Sequence, residues 1–246
     1  MIFQTDTVSL RGTQVVMKSA GSGPPLLFLH GAGTSSGTHF AEPWTQHHRV
    51  LIPYHPGWGE SGDDPTITTT HDFVMHYLEL IDQLGIPDVD LVGLSMGGRL
   101  AAQFTAEHRR RVRKVVLVAP AGLDVPGYPL LDFSKIAPED ILNYLTTDIP
   151  RILEYSTGPG SPREGESFMR LLPSIMDTKF TRWLHRITIP SMLVWGDKDL
   201  TTPIQQADEW LKRIPGLQFH KVAGAGHLVL DERPEVVDAI STFLRA

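Results

Sequence analysis

Short apolar runs alternate along the chain with longer segments in which apolar and polar residues are mixed. Most of these runs are four to six residues long and contain few polar positions. A strand that is covered on both faces has this pattern, because neither face meets water. The runs predict strands at Thr13–Met17, Leu26–Leu29, Val50–Tyr54, Val89–Leu94, Val115–Ala119, Met192–Trp195 and Leu217–Val222.

Several segments between the runs repeat their apolar residues every three or four positions. In His71–Leu84 the apolar side chains fall on one stripe of a helix with about 3.6 residues per turn, so this helix should cover one face of a sheet. We predict further helices at Met96–His108, Pro203–Ile214 and Pro234–Leu244. Strands that alternate with helices favour an α/β fold with a doubly wound, mainly parallel sheet.

One long stretch, residues 121–186, breaks this alternation. It contains seven of the 19 prolines and no convincing strand, and Pro138–Leu145 and Glu166–Leu172 have helix-like patterns. We therefore predict a core domain formed by residues 1–120 and 187–246, with a helical insertion at residues 121–186.

Charge and composition exclude several classes of function. The chain has 22 Lys and Arg residues against 28 Asp and Glu residues, and its net charge of −6 opposes binding to nucleic acid or to an anionic membrane. It has no cysteine, which excludes disulfides, thiolate metal sites and a cysteine nucleophile. Residues 1–12 lack the pattern of a signal peptide, and no apolar run approaches about 18 residues. We expect a soluble, cytoplasmic protein.

Two segments have the G-x-S-x-G spacing of a tight turn that exposes a reactive serine. One is Gly93–Gly97, centred on Ser95, and the other is Gly33–Gly37, centred on Ser35. Ser95 follows a predicted strand and opens a predicted helix, whereas no clear helix follows Ser35. We therefore predict Ser95 as a nucleophile and Ser35 as a loop residue.

A serine hydroxyl needs a base to accept its proton and an acid to orient that base. His227 lies in a glycine-rich loop after the last predicted strand, which makes it the candidate base. Asp197 and Asp199 both follow the strand Met192–Trp195, and either carboxylate could orient the imidazole.

These motifs together resemble the α/β-hydrolase fold superfamily over nearly the whole chain. The matching segments are His30–Gly33, Pro56–Ser61, Gly93–Gly97, Trp195–Asp199 and Gly226–His227. The resemblance implies that Asp199 is the acid and that Asp197 is a turn residue. Asp124 is the alternative, because some similar proteins carry the acid after the preceding strand.

Acyl transfer builds negative charge on the substrate oxygen, and backbone N–H groups commonly stabilise it. Met96 follows the nucleophile at a helix N-terminus, and Ala32 in the H-G-x-G segment should supply the second donor, with Gly33 as the alternative. Gly31 and Gly33 would allow the backbone to approach the substrate closely. The resemblance implies that His30 orders this loop and does not transfer protons.

By the same resemblance, the insertion is a cap over Ser95. A subset of its apolar side chains should then line a pocket for the acyl chain of a substrate. Phe168, Met169 and Trp183 are the first candidates for substrate-binding residues.

We therefore expect a serine hydrolase that cleaves carboxylic esters with small to medium, largely apolar acyl chains. Its partner would be a small-molecule ester, it would act as a monomer or homodimer, and it would need no cofactor. We expect no metal either, because His47-His48 is not accompanied by a second cluster of ligands.

Three alternatives stay open, the first two from the same resemblance and the third from a different class of function. The first is hydrolysis of a carbon–carbon bond in a vinylogous diketone, which would require an anion-binding arginine such as Arg99, Arg163 or Arg170. The second is a cofactor-free perhydrolase or haloperoxidase, and the third is a small-molecule receptor without turnover. Epoxide hydrolases and haloalkane dehalogenases are disfavoured, since they normally carry Asp where this chain has Ser95.

Overall fold

Eight strands form a single sheet in the computed structural model, which describes residues 2–33, 37–155 and 161–246. Their order across the sheet is β1-β2-β4-β3-β5-β6-β7-β8, and every neighbouring pair from β4 to β8 is parallel. The strands are β1 (Gln4–Leu10), β2 (Thr13–Ala20), β3 (Pro25–Leu29), β4 (Arg49–Pro53), β5 (Val89–Leu94), β6 (Val112–Val118), β7 (Ser191–Gly196) and β8 (Gln218–Val222).

All seven strands that the apolar runs predict are present, and the mainly parallel α/β fold is confirmed. The first strand, β1, was missed. It pairs only with β2, in an antiparallel hairpin at the edge of the sheet, and most of its residues are exposed or half-buried. Such a strand needs no continuous apolar run, so it lacks the pattern on which the prediction depended.

Eight α-helices are present among the described residues, and they pack mainly on the two faces of the sheet. Helices α1 and α2 bury their apolar side chains against one face, and α8 packs against the other. The helices are α1 (Thr70–Gln83), α2 (Met96–Glu107), α3 (Ile141–Leu145), α4 (Ile149–Tyr155), α5 (Pro162–Met176), α6 (Ala207–Arg213), α7 (Val229–Glu232) and α8 (Pro234–Arg245). The predicted helix Pro203–Ile214 is divided into a short 3₁₀ turn, Ile204–Gln206, and α6.

The described part of residues 121–186 contains helices and turns but no strand, and it connects β6 to β7. Its longest helix, α5, lies against α1 and α2. The guanidinium of Arg99 on α2 is buried and donates hydrogen bonds of 3.0 Å to the carbonyl oxygens of Ser174 and Asp177. These contacts hold the end of α5 on the sheet-covering layer.

No helix among the described residues is long and apolar enough to cross a membrane.

Candidate active site

Ser95 sits at a sharp turn between β5 and α2. Its backbone has φ 57° and ψ −117°, a conformation that residues other than glycine rarely adopt. The flanking glycines make the turn possible, since a Cβ at Gly93 would collide with the carbonyl of Gly97, and one at Gly97 would collide with that of Leu29. A hydrogen bond of 2.9 Å from the Ser95 N–H to the Val118 carbonyl ties the turn to β6.

His227 and Asp199 form a buried pair beyond the ends of β8 and β7. The distance between His227 Nδ1 and Asp199 Oδ2 is 2.8 Å, and the two residues are only 3% and 6% exposed. The carboxylate accepts three more hydrogen bonds, from the backbone N–H groups of Thr201 and Thr202 and from the Thr202 hydroxyl. Because an ionised carboxylate can only accept, it favours the tautomer with the proton on Nδ1, which leaves Nε2 as an acceptor.

The other two candidate acids lie elsewhere. Asp197 Oδ1 accepts a hydrogen bond of 2.8 Å from the N–H of Gly224, and its Oδ2 lies 3.8 Å from Lys221 Nζ. It therefore closes the turn that leads to the histidine loop, as a turn residue would. Asp124 is exposed to solvent. Of the three carboxylates, Asp199 is the one in hydrogen-bond contact with His227.

The loop after β3 is held in place by aromatic side chains. His30 Nδ1 donates to the carbonyl of Gly31 at 2.7 Å, and its Nε2 accepts the backbone N–H of His55 at 3.0 Å. Trp58 Nε1 donates to the carbonyl of Ala32 at 2.9 Å. Each of the residues from His30 to Ala32 is thus fixed by a hydrogen bond.

Burial keeps both histidines of this cluster neutral. It lowers the pKa of His30 to about 4 and that of His55 well below the usual imidazole value. His55 is itself held between the carbonyl of His30 and the hydroxyl of Tyr77. Since both ring nitrogens of His30 are occupied, this side chain orders the loop and has no free nitrogen with which to accept a proton.

The loop lies directly against Ser95. A Cβ placed on Gly31 would be 3.4 Å from Ser95 Cβ, and Gly31, Ala32 and Gly33 line the same cavity as Ser95 and His227. At this distance an added Cβ on Gly31 would make ordinary van der Waals contact with Ser95, so the loop packs closely against the serine.

Met96 is the first residue of α2, where backbone N–H groups lack partners within the helix. Its side chain is buried in the core and does not line the cavity, so the backbone N–H is the group that it can offer to a substrate.

The cavity has a volume of about 400 Å³ and lies between the strand ends and residues 121–186. Most of its wall is apolar. The core contributes Phe28, Phe40, Ile52 and Leu94, and the inserted segment contributes Phe133, Ile141, Leu142, Leu145 and Phe168. A cavity of this size is at the small end of those that bind small organic ligands.

Of the three candidates for the acyl pocket, only Phe168 lines the cavity. Met169 and Trp183 are 61% and 44% exposed and lie outside the cavity wall. The inward face of α5 carries Glu164, Ser167 and Leu171, and Met169 is rotated away from that stripe. Trp183 lies beside Arg182 and His185 on a 3₁₀ helix.

The three arginines that could have bound an anionic substrate are engaged elsewhere. Arg99 binds the end of α5, as described above. Arg163 donates to the carbonyl of Gly59 at 2.6 Å, and Arg170 forms an ion pair of 2.6 Å with Asp63. None of the three lines the cavity.

The remaining sequence candidates do not add to the site. His48 is buried, and its Nε2 lies 3.2 Å from Asp90 Oδ2. Among the described residues, no group of three His, Asp or Glu side chains is arranged to hold a metal ion. Ser35, predicted as a loop residue, lies outside the described residues.

Two residues at the site were not found from the sequence. Glu164 lines the cavity, but a glutamate in the first turn of a helix is common for reasons of helix stability alone, so it carried no signal. His55 immediately precedes the Pro56–Ser61 motif. Its position beside this motif was the only sign in the sequence that it lies near the site. The structure shows that its ring packs against that of His30, with 3.7 Å between the ring centroids.

Comparison with known proteins agrees with this architecture. Residues 26–240 match the profile of the alpha/beta hydrolase family. The chain belongs to this family.

Two curated relatives of the hydrolase are similar over most of their lengths. A carboxylesterase of Bacillus subtilis, YbfK, is 26% identical over 92% of this chain and 81% of its own. A 2-hydroxy-6-oxo-6-phenylhexa-2,4-dienoate hydrolase of Burkholderia cepacia is 24% identical over 89% of this chain and 86% of its own.

A solved serine hydrolase that is involved in carbazole degradation has the same fold as this hydrolase. The two structures superpose with a TM-score of 0.82 and 22% identity, over 99% of each chain. At this level of identity the likeness shows the fold and does not define a substrate.

Proposed function

We propose that this alpha/beta hydrolase is a serine esterase that cleaves carboxylic esters with small to medium, largely apolar acyl chains. The observation that carries the proposal is the hydrogen bond between Asp199 and His227, because the His227 side chain lines the same cavity as Ser95 on its strained turn. A nucleophile, a base and an orienting acid are the groups that acyl transfer through a covalent intermediate requires.

In the proposed mechanism, His227 Nε2 accepts the proton of the Ser95 hydroxyl while Oγ attacks the ester carbonyl. The negative charge that forms on the carbonyl oxygen is stabilised by the backbone N–H groups of Met96 and Ala32. The imidazolium then gives its proton to the departing alcohol, which leaves an acyl group on Ser95. Water, deprotonated by the same imidazole, hydrolyses the acyl-enzyme. Asp199 holds the imidazole in the required tautomer throughout.

The composition of the cavity wall favours ester cleavage over cleavage of a carbon–carbon bond. The Burkholderia cepacia relative is named for a dienoate, which is a carboxylate. Among the described residues that line the cavity there is no arginine or lysine to bind such an anion. An uncharged ester with an apolar chain fits the wall, which is formed largely by Phe, Leu and Ile side chains.

The proposal can be tested by following turnover with a series of 4-nitrophenyl esters of increasing acyl length, beside a 2-hydroxy-6-oxo-dienoate. We expect steady hydrolysis of the esters. Ser95→Ala should lower kcat by roughly 10⁴ or more, because the acyl-enzyme can no longer form. A phosphonate inhibitor that labels the Ser95→Ala protein as fast as the parent would contradict the assignment of the nucleophile. Turnover of the dienoate alone would contradict the proposed substrate class.

A further inference from the structure

Both residues that flank His227 are hydrogen-bonded to helices. The backbone N–H of Gly226, on one side, donates to the carboxylate of Glu232 on α7, 3.0 Å from Oε2 and 3.2 Å from Oε1. The backbone N–H of Leu228, on the other side, donates to the carbonyl of Leu145 on α3 at 3.0 Å. The backbone that carries the imidazole is therefore tied to two helices, and a side chain makes one of these ties.

Glu232 also binds the insertion. Its Oε2 accepts the hydroxyl of Thr147 at 2.6 Å, and its Oε1 accepts the backbone N–H of the same residue at 3.3 Å. Thr147 lies between α3 and α4, and α3 contributes Ile141, Leu142 and Leu145 to the cavity wall. One carboxylate thus joins the loop that carries His227 to a segment of the insertion that borders the cavity.

Gly226 packs tightly against these partners. A Cβ placed on it would lie 2.9 Å from Glu232 Oε1, 3.0 Å from the Cα of Thr146 and 3.1 Å from the carbonyl oxygen of Leu145. Because carbon atoms that are not bonded to each other prefer separations of roughly 3.5 to 4.0 Å, a side chain here would push the loop away from its partners. The glycine therefore allows the contact between the loop, Glu232 and the insertion.

The burial of Glu232 has a cost that its hydrogen bonds must offset. The residue is only 3% exposed, and removing a carboxylate from water is unfavourable unless hydrogen bonds replace its hydration. An apolar side chain of similar size would fill the same space without this cost, so packing alone does not account for a carboxylate at this position. A buried polar network whose members are all hydrogen-bonded does hold its parts in one arrangement.

We propose that Glu232 is a positioning residue, which fixes Gly226, and through it the imidazole of His227, against the insertion. This inference rests on the proposed esterase function, in which His227 Nε2 must meet the Ser95 hydroxyl and then the departing alcohol. A shift of about 1 Å in a reacting group can cost about a hundredfold in rate. Loss of the hydrogen bonds of Glu232 should therefore slow the chemical step and leave substrate binding largely unchanged, because Glu232 does not line the cavity.

The test compares Glu232→Met with Glu232→Gln. Methionine is of similar length but accepts no strong hydrogen bond. Glutamine keeps one oxygen for the N–H groups of Gly226 and Thr147, and its amide group can donate to the Thr147 hydroxyl, which itself donates to the carbonyl of Gly224 at 2.9 Å. For each variant, kcat and KM are measured on a neutral 4-nitrophenyl ester, together with the rate constant for inactivation by a phosphonate ester. Urea unfolding is recorded for every protein.

We expect Glu232→Met to lower kcat by roughly thirtyfold to a hundredfold, with KM changed less than about threefold, and Glu232→Gln to lower kcat less than about fivefold. The rate constant for inactivation should fall in parallel with kcat, because the phosphonate also reacts with an activated Ser95. Glu235→Met is the matched control, since Glu235 is exposed at the start of α8 and its substitution should leave all three quantities unchanged.

A purely structural role for Glu232 predicts a different result. A loss of folded protein would lower the apparent kcat, but the folded enzyme that remains would react with the phosphonate at the rate constant of the parent. A parental rate constant in Glu232→Met would therefore overturn the inference. Equal losses of kcat in Glu232→Met and Glu232→Gln would also overturn it, because the hydrogen bonds that glutamine retains would then have no effect.

Gly226→Ala tests the same contact from the other side and applies even if Glu232→Met does not fold. The added Cβ would meet Glu232 Oε1 at 2.9 Å and must displace the loop, so kcat and the rate constant for inactivation should fall at least about tenfold. Values within about twofold of the parent would overturn the inference. In that case ester hydrolysis by the parent, abolished by Ser95→Ala, would leave the proposed esterase function intact, whereas hydrolysis that survives Ser95→Ala would contradict the function itself.

Discussion

Both carboxylate oxygens of Asp199 are hydrogen-bonded. Its carboxylate accepts two backbone N–H groups and the Thr202 hydroxyl in addition to contacting His227, so both of its oxygens are fixed relative to the ring. In the proposed mechanism, an acid that is already oriented would lose little freedom when the imidazole becomes charged, and its negative charge would stabilise the imidazolium. Asp197, two residues earlier, has its partners on the opposite side of the same turn.

This difference leads to a prediction for the two neighbouring carboxylates. Asp199→Asn should lower kcat by about 10⁴, because an amide at this position favours the wrong tautomer of His227. Asp197→Asn is the matched control, and we expect a loss below about tenfold. The measurement is kcat on a neutral ester. Equal and severe losses in the two variants, or a severe loss only in Asp124→Asn, would contradict the assignment.

Local sequence identified these residues as candidates, and the family resemblance was needed to choose Asp199 over Asp197. Ser95 stands in a motif whose glycines are required by steric contacts, and His227 and Asp199 follow strands that the apolar pattern identifies. Glu164 is different, because its place in the cavity depends on how α5 lies over the loop after β4. No pattern along the chain records that contact between residues more than a hundred positions apart.

Helix α5 shows how the phase of a helix decides which residues can meet a ligand. Its buried positions, Glu164, Ser167, Leu171 and Ile175, follow the spacing of one helical stripe. Phe168 borders this stripe and lines the cavity, whereas Met169 faces solvent. The size and apolar character of a side chain therefore did not tell which residues of the insertion line the cavity. The segment Glu166–Leu172 is too short to show which face of α5 is buried.

The phase of α5 also predicts which substitution alters chain-length preference. Phe168→Ala enlarges the cavity, and a buried methylene contributes about 0.8 kcal/mol, so the ratio of kcat/KM for a longer to a shorter acyl ester should rise roughly threefold to tenfold. Met169→Ala, on the exposed side, should leave the ratio unchanged. The ratio is measured over 4-nitrophenyl esters from acetate to decanoate. If Phe168→Ala lowers only the stability, the acyl chain does not reach this wall.

Over the whole molecule, hydrogen bonds to two neighbouring buried residues, Glu232 and Asp231, join the insertion to the loop that carries His227. Glu232 on α7 accepts hydrogen bonds from the N–H of Gly226, next to His227, and from the backbone and side chain of Thr147, at the start of the segment leading to α4. Arg151 on α4 donates to the carbonyl of Asp231 at 2.6 Å. Helix α7 thus links the position of the insertion to the position of the loop that carries His227.

The carboxylate of Asp231 differs from that of its neighbour Glu232. Neither of its carboxylate oxygens has a hydrogen-bond partner in the described part of the chain, and His39 Nε2 lies 3.6 Å from Oδ1. Burial, and then the nearby charge of Glu232, raise its pKa from 3.8 to about 7. The native state therefore holds a proton here between about pH 4 and pH 7, where the unfolded chain has released it. This group's contribution to stability falls as the pH rises through that window and is constant above it.

Asp231→Asn removes this titration while keeping the size of the side chain. We expect the variant to exceed the parent in free energy of unfolding at pH 8 by on the order of 2 kcal/mol, and the difference to shrink toward zero near pH 4. This difference in the free energy of unfolding is measured by urea unfolding of both proteins at several pH values. Groups that the substitution leaves unchanged titrate alike in the two proteins, so their contributions cancel in the difference. Asp238→Asn, at an exposed position on α8, is the control and should show no such trend. A difference that stays constant from pH 4 to pH 8 would mean that Asp231 is ionised in the folded protein throughout this range, with His39 as the nearest group able to hold its charge.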